Sequence, residues 1–171
     1  MKKIIFSGII TFFSFLSFAQ NHFSEVKDDQ HPQEIILQGL LSKYIIQNDR
    51  RFTWYPSSQA LYQPTQQQIA SLSAAKSSIS FLIFGGTWCE DTQFILPKFF
   101  KWMELSEFPE TSVVLFGVNR KKESMGQLST IFDIKNVPTI IVMKNGQEMG
   151  RVIEYGKSGK WDNEILELIT K

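Results

Sequence analysis

The stretch GGTWCEDTQ, residues 85–93, holds the only cysteine of the 171-residue chain. One cysteine cannot close an internal disulfide, so Cys89 is either a reactive thiol or a small buried hydrophobe. Before it, residues 80–84 form an apolar run stopped by Gly85-Gly86, the pattern of a buried strand. After it, EDTQFILPKFFKWMEL has helical spacing, with Pro97 as an expected kink. A cysteine at a helix N-terminus faces unpaired N–H groups and the positive end of the helix dipole. Both favour the thiolate, which is the nucleophile. Glu90 and Asp91 oppose that effect, because carboxylates repel a neighbouring thiolate. The Thr92 hydroxyl or N–H has the chemistry to stabilise a thiolate; a bland first-turn role is the alternative.

Other constellations are thin. His22 and His31 are not spaced as a metal pair, so no metal site is expected, and Gly85-Gly86 alone is no phosphate loop. No cofactor is expected. The 18 Lys and Arg include Lys2 and Lys3; without those two, 16 basic residues face 17 acidic ones. That balance does not suggest nucleic acid, and there is no basic run to suggest a membrane surface. Trp54, Tyr55 and Tyr62 suit either a lid over the thiol or ordinary core packing. Lys121-Lys122-Glu123 reads as the solvated start of a helix.

The elements that must position Cys89 follow from periodicity. Residues 32–48 place Ile36, Leu40, Leu41, Tyr44 and Ile45 at helical spacing, which predicts a helix. FTWYPSSQALYQP reads as loop or short edge strand. Thr65 caps a helix over QQQIASLSAAK. SVVLFGVN is a second buried strand and SMGQLSTIFDI a second core helix. Asn145-Gly146 joins two further strands as a hairpin, and residues 158–171 close as an amphipathic helix. This order predicts an α/β fold: a mixed sheet with a parallel pair, an antiparallel hairpin and helices on both faces.

At the N-terminus, two lysines, a short apolar run and Ser17-x-Ala19 predict a cleaved signal peptide over residues 1–19. An uncleaved inner-membrane anchor is the alternative. The expected organisation is that leader, an N-terminal helical extension over residues 20–64, and one domain over residues 65–171.

Several features together resemble the thioredoxin superfamily. They are Trp88-Cys89 between strand and helix, Val137-Pro138-Thr139 just before the hairpin, and MKNGQEMGRV at the hairpin itself. The resemblance spans about residues 65–171, and the extended form looks like exported thioredoxin-like proteins of Bacteroidetes. It implies a thioredoxin-like mixed sheet and a periplasmic setting. It also implies a cis-proline at Pro138, with the Val137 backbone offered to an extended substrate and Trp88 shaping access. Thr92 stands where the resolving cysteine of a C-x-x-C pair belongs. Ile83 stands where dithiol members keep a buried carboxylate. Both departures put ordinary disulfide reduction in doubt. Two readings follow: a monothiol oxidoreductase that forms mixed disulfides with protein or small-molecule thiols, or a binding module that keeps the groove without turnover. Oligomeric state is not legible.

Overall fold

Successive residues of a strand face opposite ways, and in the central strand both faces are apolar. The computed structural model describes residues 22–171; the expected signal peptide lies outside the described residues. The elements are β1 Phe23–Val26, β2 Ile36–Leu41, α1 Lys43–Gln47, α2 Trp54–Ala60, α3 Gln66–Ala75, β3 Ile79–Gly85 and α4 Glu90–Leu105. They continue with β4 Val113–Gly117, α5 Leu128–Ile131, β5 Thr139–Lys144, β6 Gln147–Ile153 and α6 Trp161–Ile169. The six strands form one sheet in the order β1-β2-β4-β3-β5-β6. Only β3 and β4 pair in parallel; the other neighbours are antiparallel. The mixed α/β sheet flanked by helices is the architecture the element order predicts.

Phe81 and Ile83 of β3 enter the larger core, with Ile95, Phe99 and Trp102 of α4, Leu72 of α3 and Ile165 of α6. Phe84 faces the other way, into a smaller cluster with Val118, Ile134, Val137 and Ile141, against which Trp88, Cys89, Leu128 and Phe132 pack. The loop carrying the thiol therefore belongs to the smaller cluster, although the helix it opens belongs to the larger.

Three expectations need correction. Residues 32–48 are not one helix: residues 36–41 are strand β2, and only Lys43–Gln47 is helical. Both faces of β2 are covered, so its apolar run lacks the alternation that marks a half-buried strand, and pairing with β1 and β4 decides the outcome. A helix here would also waste Gly39, which sits at φ +122, where a Cβ would lie 2.5 Å from the carbonyl oxygen of His22, just before the neighbouring strand β1. The segment expected as loop or edge strand holds helix α2, with Pro56 in its first turn, where a missing N–H costs nothing. The helix expected over residues 124–134 is a single turn, α5, bounded by Gly126 at φ 54 and Asp133 at φ 51.

The extension thus carries helices α1 and α2 but also two strands of the sheet. Leu37, Leu41, Ile46, Phe52 and Tyr55 lie in the same core as Phe81 and Ile83. The hairpin turn Asn145-Gly146 has φ 53 and 76, the two left-handed residues of a type I′ turn. Thr65 closes a reciprocal capping box with Gln68 on α3.

Candidate functional site

Cys89 is the N-cap of α4, at φ −91 and ψ 122, and is half-buried. The turn before it is closed by the Cys89 N–H donating to the Gly86 carbonyl at 2.9 Å. The first bond of the helix runs from Gln93 N–H to the Cys89 carbonyl at 2.9 Å. The N–H groups of Glu90, Asp91 and Thr92 thus have no acceptor within the helix. Cys89 therefore stands at the positive end of a 16-residue helix.

Across from the sulfur runs the loop before β5, where the Val137–Pro138 peptide is cis. The Cys89 Sγ donates to the Val137 carbonyl at 3.1 Å. That bond requires the sulfur to carry its proton; a thiolate there would repel the carbonyl oxygen. Val137 is only 3% exposed, packed among Phe84, Ile134 and Ile141. On the other side of the loop, Glu154 N–H donates to the Pro138 carbonyl at 2.7 Å, which ties it to the end of β6.

Thr92 is 1% exposed, and its hydroxyl accepts the Gly86 N–H at 3.2 Å. The hydroxyl binds the helix to the end of β3 and is not spent on the sulfur. The Cys89 side chain makes no capping hydrogen bond to the first turn of α4. Ile83 is fully buried in the larger core, with no carboxylate in its place.

Trp88 is held from several directions. Its Nε1 donates to the Val118 carbonyl at 2.9 Å, and its ring lies so close over Gly86 that a Cβ there would be 2.7 Å from Cε2. The Arg120 guanidinium sits 4.9 Å and the Lys122 ammonium 5.5 Å from the ring. Arg120 also pairs with Asp28 and Glu34. The Arg120 bond, with help from the Gln30 and His31 N–H groups, outweighs burial and holds the Asp28 carboxyl down to about 2. Thr87 donates to the Ile35 carbonyl and accepts the Leu37 N–H at 3.1 Å. Gln93 reaches back to the Thr87 carbonyl at 2.8 Å. The extension therefore grips the thiol loop at two points, Thr87 and, through Arg120, Trp88.

Sequence reasoning missed that grip, since nothing local to Thr87 or Arg120 signals a partner 50 to 92 residues away. It also missed Tyr155, after β6, whose ring lies 5.6 Å from that of Phe94, tilted by 53°. Burial, and then the neighbouring Asp91 carboxylate, raise the Tyr155 phenol above its ordinary range. The aromatic cluster considered as a lid is elsewhere. Tyr55 is buried in the larger core; the Tyr62 ring packs tilted against Trp161 at 5.6 Å, and its hydroxyl donates to Asp162 at 3.1 Å. Among the described residues there is no cluster of three His, Cys, Asp or Glu side chains able to hold a metal ion.

A helix-capping cysteine opposite the loop before an antiparallel strand, on a sheet with β3 and β4 parallel, defines a thioredoxin-fold thiol site. A thioredoxin family model matches residues 42–161, and the chain belongs to that family. It is 32% identical over 74 residues to thioredoxin H9 of Arabidopsis thaliana, covering 43% of this chain and 49% of that protein. It is 28% identical over 88 residues to a protein disulfide-isomerase of Ricinus communis, covering 52% of this chain and 17% of that protein. The chain spans half or less of the length of these relatives. Among solved structures, an HIV epitope scaffold aligns over 68% of this chain and 80% of its own at 15% identity, with a TM-score of 0.47.

Proposed function

We propose that this chain is an exported monothiol thioredoxin-like protein, periplasmic after removal of residues 1–19, that forms mixed disulfides through Cys89. One observation carries the reading: a single half-buried cysteine caps the 16-residue α4 opposite the Val137–Pro138 loop, and Thr92 stands where a second thiol would be. Family membership supports a thiol-disulfide role, and the apolar, lysine-led N-terminus supports export.

In the proposed exchange the Cys89 thiolate attacks one sulfur of a partner disulfide. A bond forms between Cys89 and that sulfur as the old S–S bond breaks, and the departing thiolate takes a proton from water. With no second cysteine, the adduct is released by an external thiol, which attacks it and returns Cys89 to the reduced state. Before the first step the proton shared with the Val137 carbonyl must leave. Trp88 borders the approach, and the exchange partner is a protein or small-molecule thiol or disulfide.

The test is a mass-spectrometric trap with a peptide disulfide on the native protein. An adduct of one peptide, absent in Cys89→Ser, is expected. An adduct that forms only after unfolding would sink the reading. A second reading, a binding module without turnover, draws on the S–H bond to Val137 and on the Glu90-Asp91 pair beside the thiol. It predicts partner binding that survives Cys89→Ser. N-terminal sequencing of the protein recovered from the periplasm tests export separately; an intact Met1 would refute cleavage.

A further inference from the structure

Trp88, the half-buried residue before the thiol, is held by one segment that leaves β4. Its Nε1 donates to the Val118 carbonyl, the Arg120 guanidinium lies 4.9 Å from the ring centroid, and the Lys122 ammonium lies 5.5 Å from it. That segment is itself pinned. The Val118 N–H donates to the Gly85 carbonyl at 3.0 Å, and the Asn119 Oδ1 accepts both the Lys121 and Glu123 N–H groups at 2.9 Å. Residues 121–123 thus belong to a tight turn, with Lys122 at φ 64, and not to the solvated helix start that the sequence suggests.

Arg120 is held in turn by the extension. Asp28, just after β1, pairs with its Nε, and Glu34, just before β2, pairs with its Nη2. Asp28 has a fixed place of its own, because its Oδ1 accepts the Gln30 N–H at 3.0 Å and the His31 N–H at 3.2 Å. Two carboxylates on one guanidinium leave it no positive charge to offer a partner. What Arg120 supplies is a fixed position over the indole, whose face attracts a cation.

Cys89 shares this support. The turn that carries it is closed by the bond from the Cys89 N–H to the Gly86 carbonyl, so Thr87 and Trp88 are its two central residues. Thr87 is bonded through its hydroxyl to Ile35 and Leu37. The extension therefore fixes both, Thr87 directly and Trp88 through Arg120. A disulfide holds its two Cα atoms about 4.4–6.8 Å apart, and consecutive Cα atoms stand about 3.8 Å apart. In a mixed disulfide the neighbours of the partner cysteine therefore come within reach of the Trp88 indole.

We propose that Arg120 is a positioning residue for exchange with polypeptide disulfides: held by Asp28 and Glu34, it keeps the Trp88 indole where a partner segment packs on it as Cys89 attacks. The proposal rests on the mixed-disulfide reading above. A small disulfide needs only the sulfur and does not sense the indole, whereas a peptide disulfide does. The extension thereby sets how well the site tells protein disulfides from small ones.

Two mixed disulfides of thionitrobenzoate test this, one with mercaptoethanol and one with an uncharged cysteine peptide. The Cys89 thiolate bonds to the carrier sulfur, the old S–S bond breaks, and the coloured thionitrobenzoate leaves as the better thiolate. In Arg120→Gln, which keeps a donor for Asp28, the peptide rate should fall about three- to tenfold while the small disulfide stays within about twofold. Glu34→Gln frees one end of the guanidinium and should shift the ratio of the two rates the same way by less; it decides alone if Arg120→Gln does not fold. Arg51→Ala, which breaks the extension's ion pairs with Glu25 and Asp49, should leave the ratio unchanged. In protein labelled with fluorotryptophan, the Trp88 resonance, assigned through Trp88→Phe, should move in Arg120→Gln and not in Arg51→Ala. An unchanged ratio, a Trp88 resonance that stays in place, or an equal effect of Arg51→Ala would overturn the proposal while leaving the mixed-disulfide reading intact. Failure of the wild-type protein to react with either disulfide would sink both.

Discussion

Replacing Thr92 by valine separates two roles for the residue that stands in the place of a second thiol. The Thr92 hydroxyl accepts the Gly86 N–H at 3.2 Å in a site 1% exposed. Valine keeps the branched shape that fits against Gly85, where a Cβ would already be 3.0 Å from the Thr92 methyl. It removes the acceptor and leaves a buried N–H unpaired, which costs about 1–3 kcal/mol. For a domain of this size, each kcal/mol lowers Tm by about 2–4 °C. Serine keeps the acceptor and loses only the methyl, about 1 kcal/mol. Urea unfolding should therefore rank wild type above Thr92→Ser and Thr92→Ser above Thr92→Val, at unchanged m-value. Iodoacetamide alkylation of Cys89 on the folded protein should stay within about twofold in both variants, because the hydroxyl is committed to the strand end. Thr92→Val as stable as wild type, or a tenfold drop in alkylation without loss of stability, would refute this account and return the hydroxyl to the sulfur.

Gly86→Ala places a methyl carbon 2.7 Å from the Trp88 ring. It should cost about 1–3 kcal/mol and shift the Trp88 component of the fluorescence; a silent spectrum with full stability would contradict the stacking. Asp28→Asn removes a carboxyl held down to about 2 chiefly by Arg120, against an ordinary value of 3.8. A carboxyl depressed in the folded state adds stability above pH 3.8, and that stability is lost as pH falls through about 2. The variant should be less stable at neutral pH and show a shallower loss over that acid range; parallel curves would argue against the pair. Thr65→Ala breaks the capping box on α3 and should cost about 1 kcal/mol in urea unfolding, with Cys89 alkylation unaffected.

What could be read locally was read well. Asn145-Gly146 announces its hairpin because only left-handed residues close a two-residue turn between twisted strands. Cys89 and the acidic first turn mark the start of α4, and Thr65 with Gln68 marks α3. Strand β2 was illegible because Ile36, Leu37 and Leu41 are buried by neighbours that lie far along the chain. Its apolar spacing fits either period, and only the partner strand chooses. Helix α2 hides for a related reason: Pro56 reads as a breaker until its first-turn position is known. At the site, Cys89, Trp88, Val137 and Pro138 do converge. The Thr92 hydroxyl turned to the backbone, and the Thr87 and Arg120 ties to the extension depend on contacts that no local pattern encodes.

The pairing of β2 with β4 sets an order of events on the ribosome. Gly39 faces Gly117 across the sheet, 78 residues later in the chain. At about 5–20 residues per second, β2 and its hairpin with β1 emerge several seconds before the strand they need. During that interval an apolar strand with one open edge has no native neighbour, and an unpaired edge invites association with other chains. Once β4 arrives, the sheet closes, and the same step brings Ile35 and Leu37 onto Thr87. The thiol loop is thus finished by a segment made some 50 residues before it.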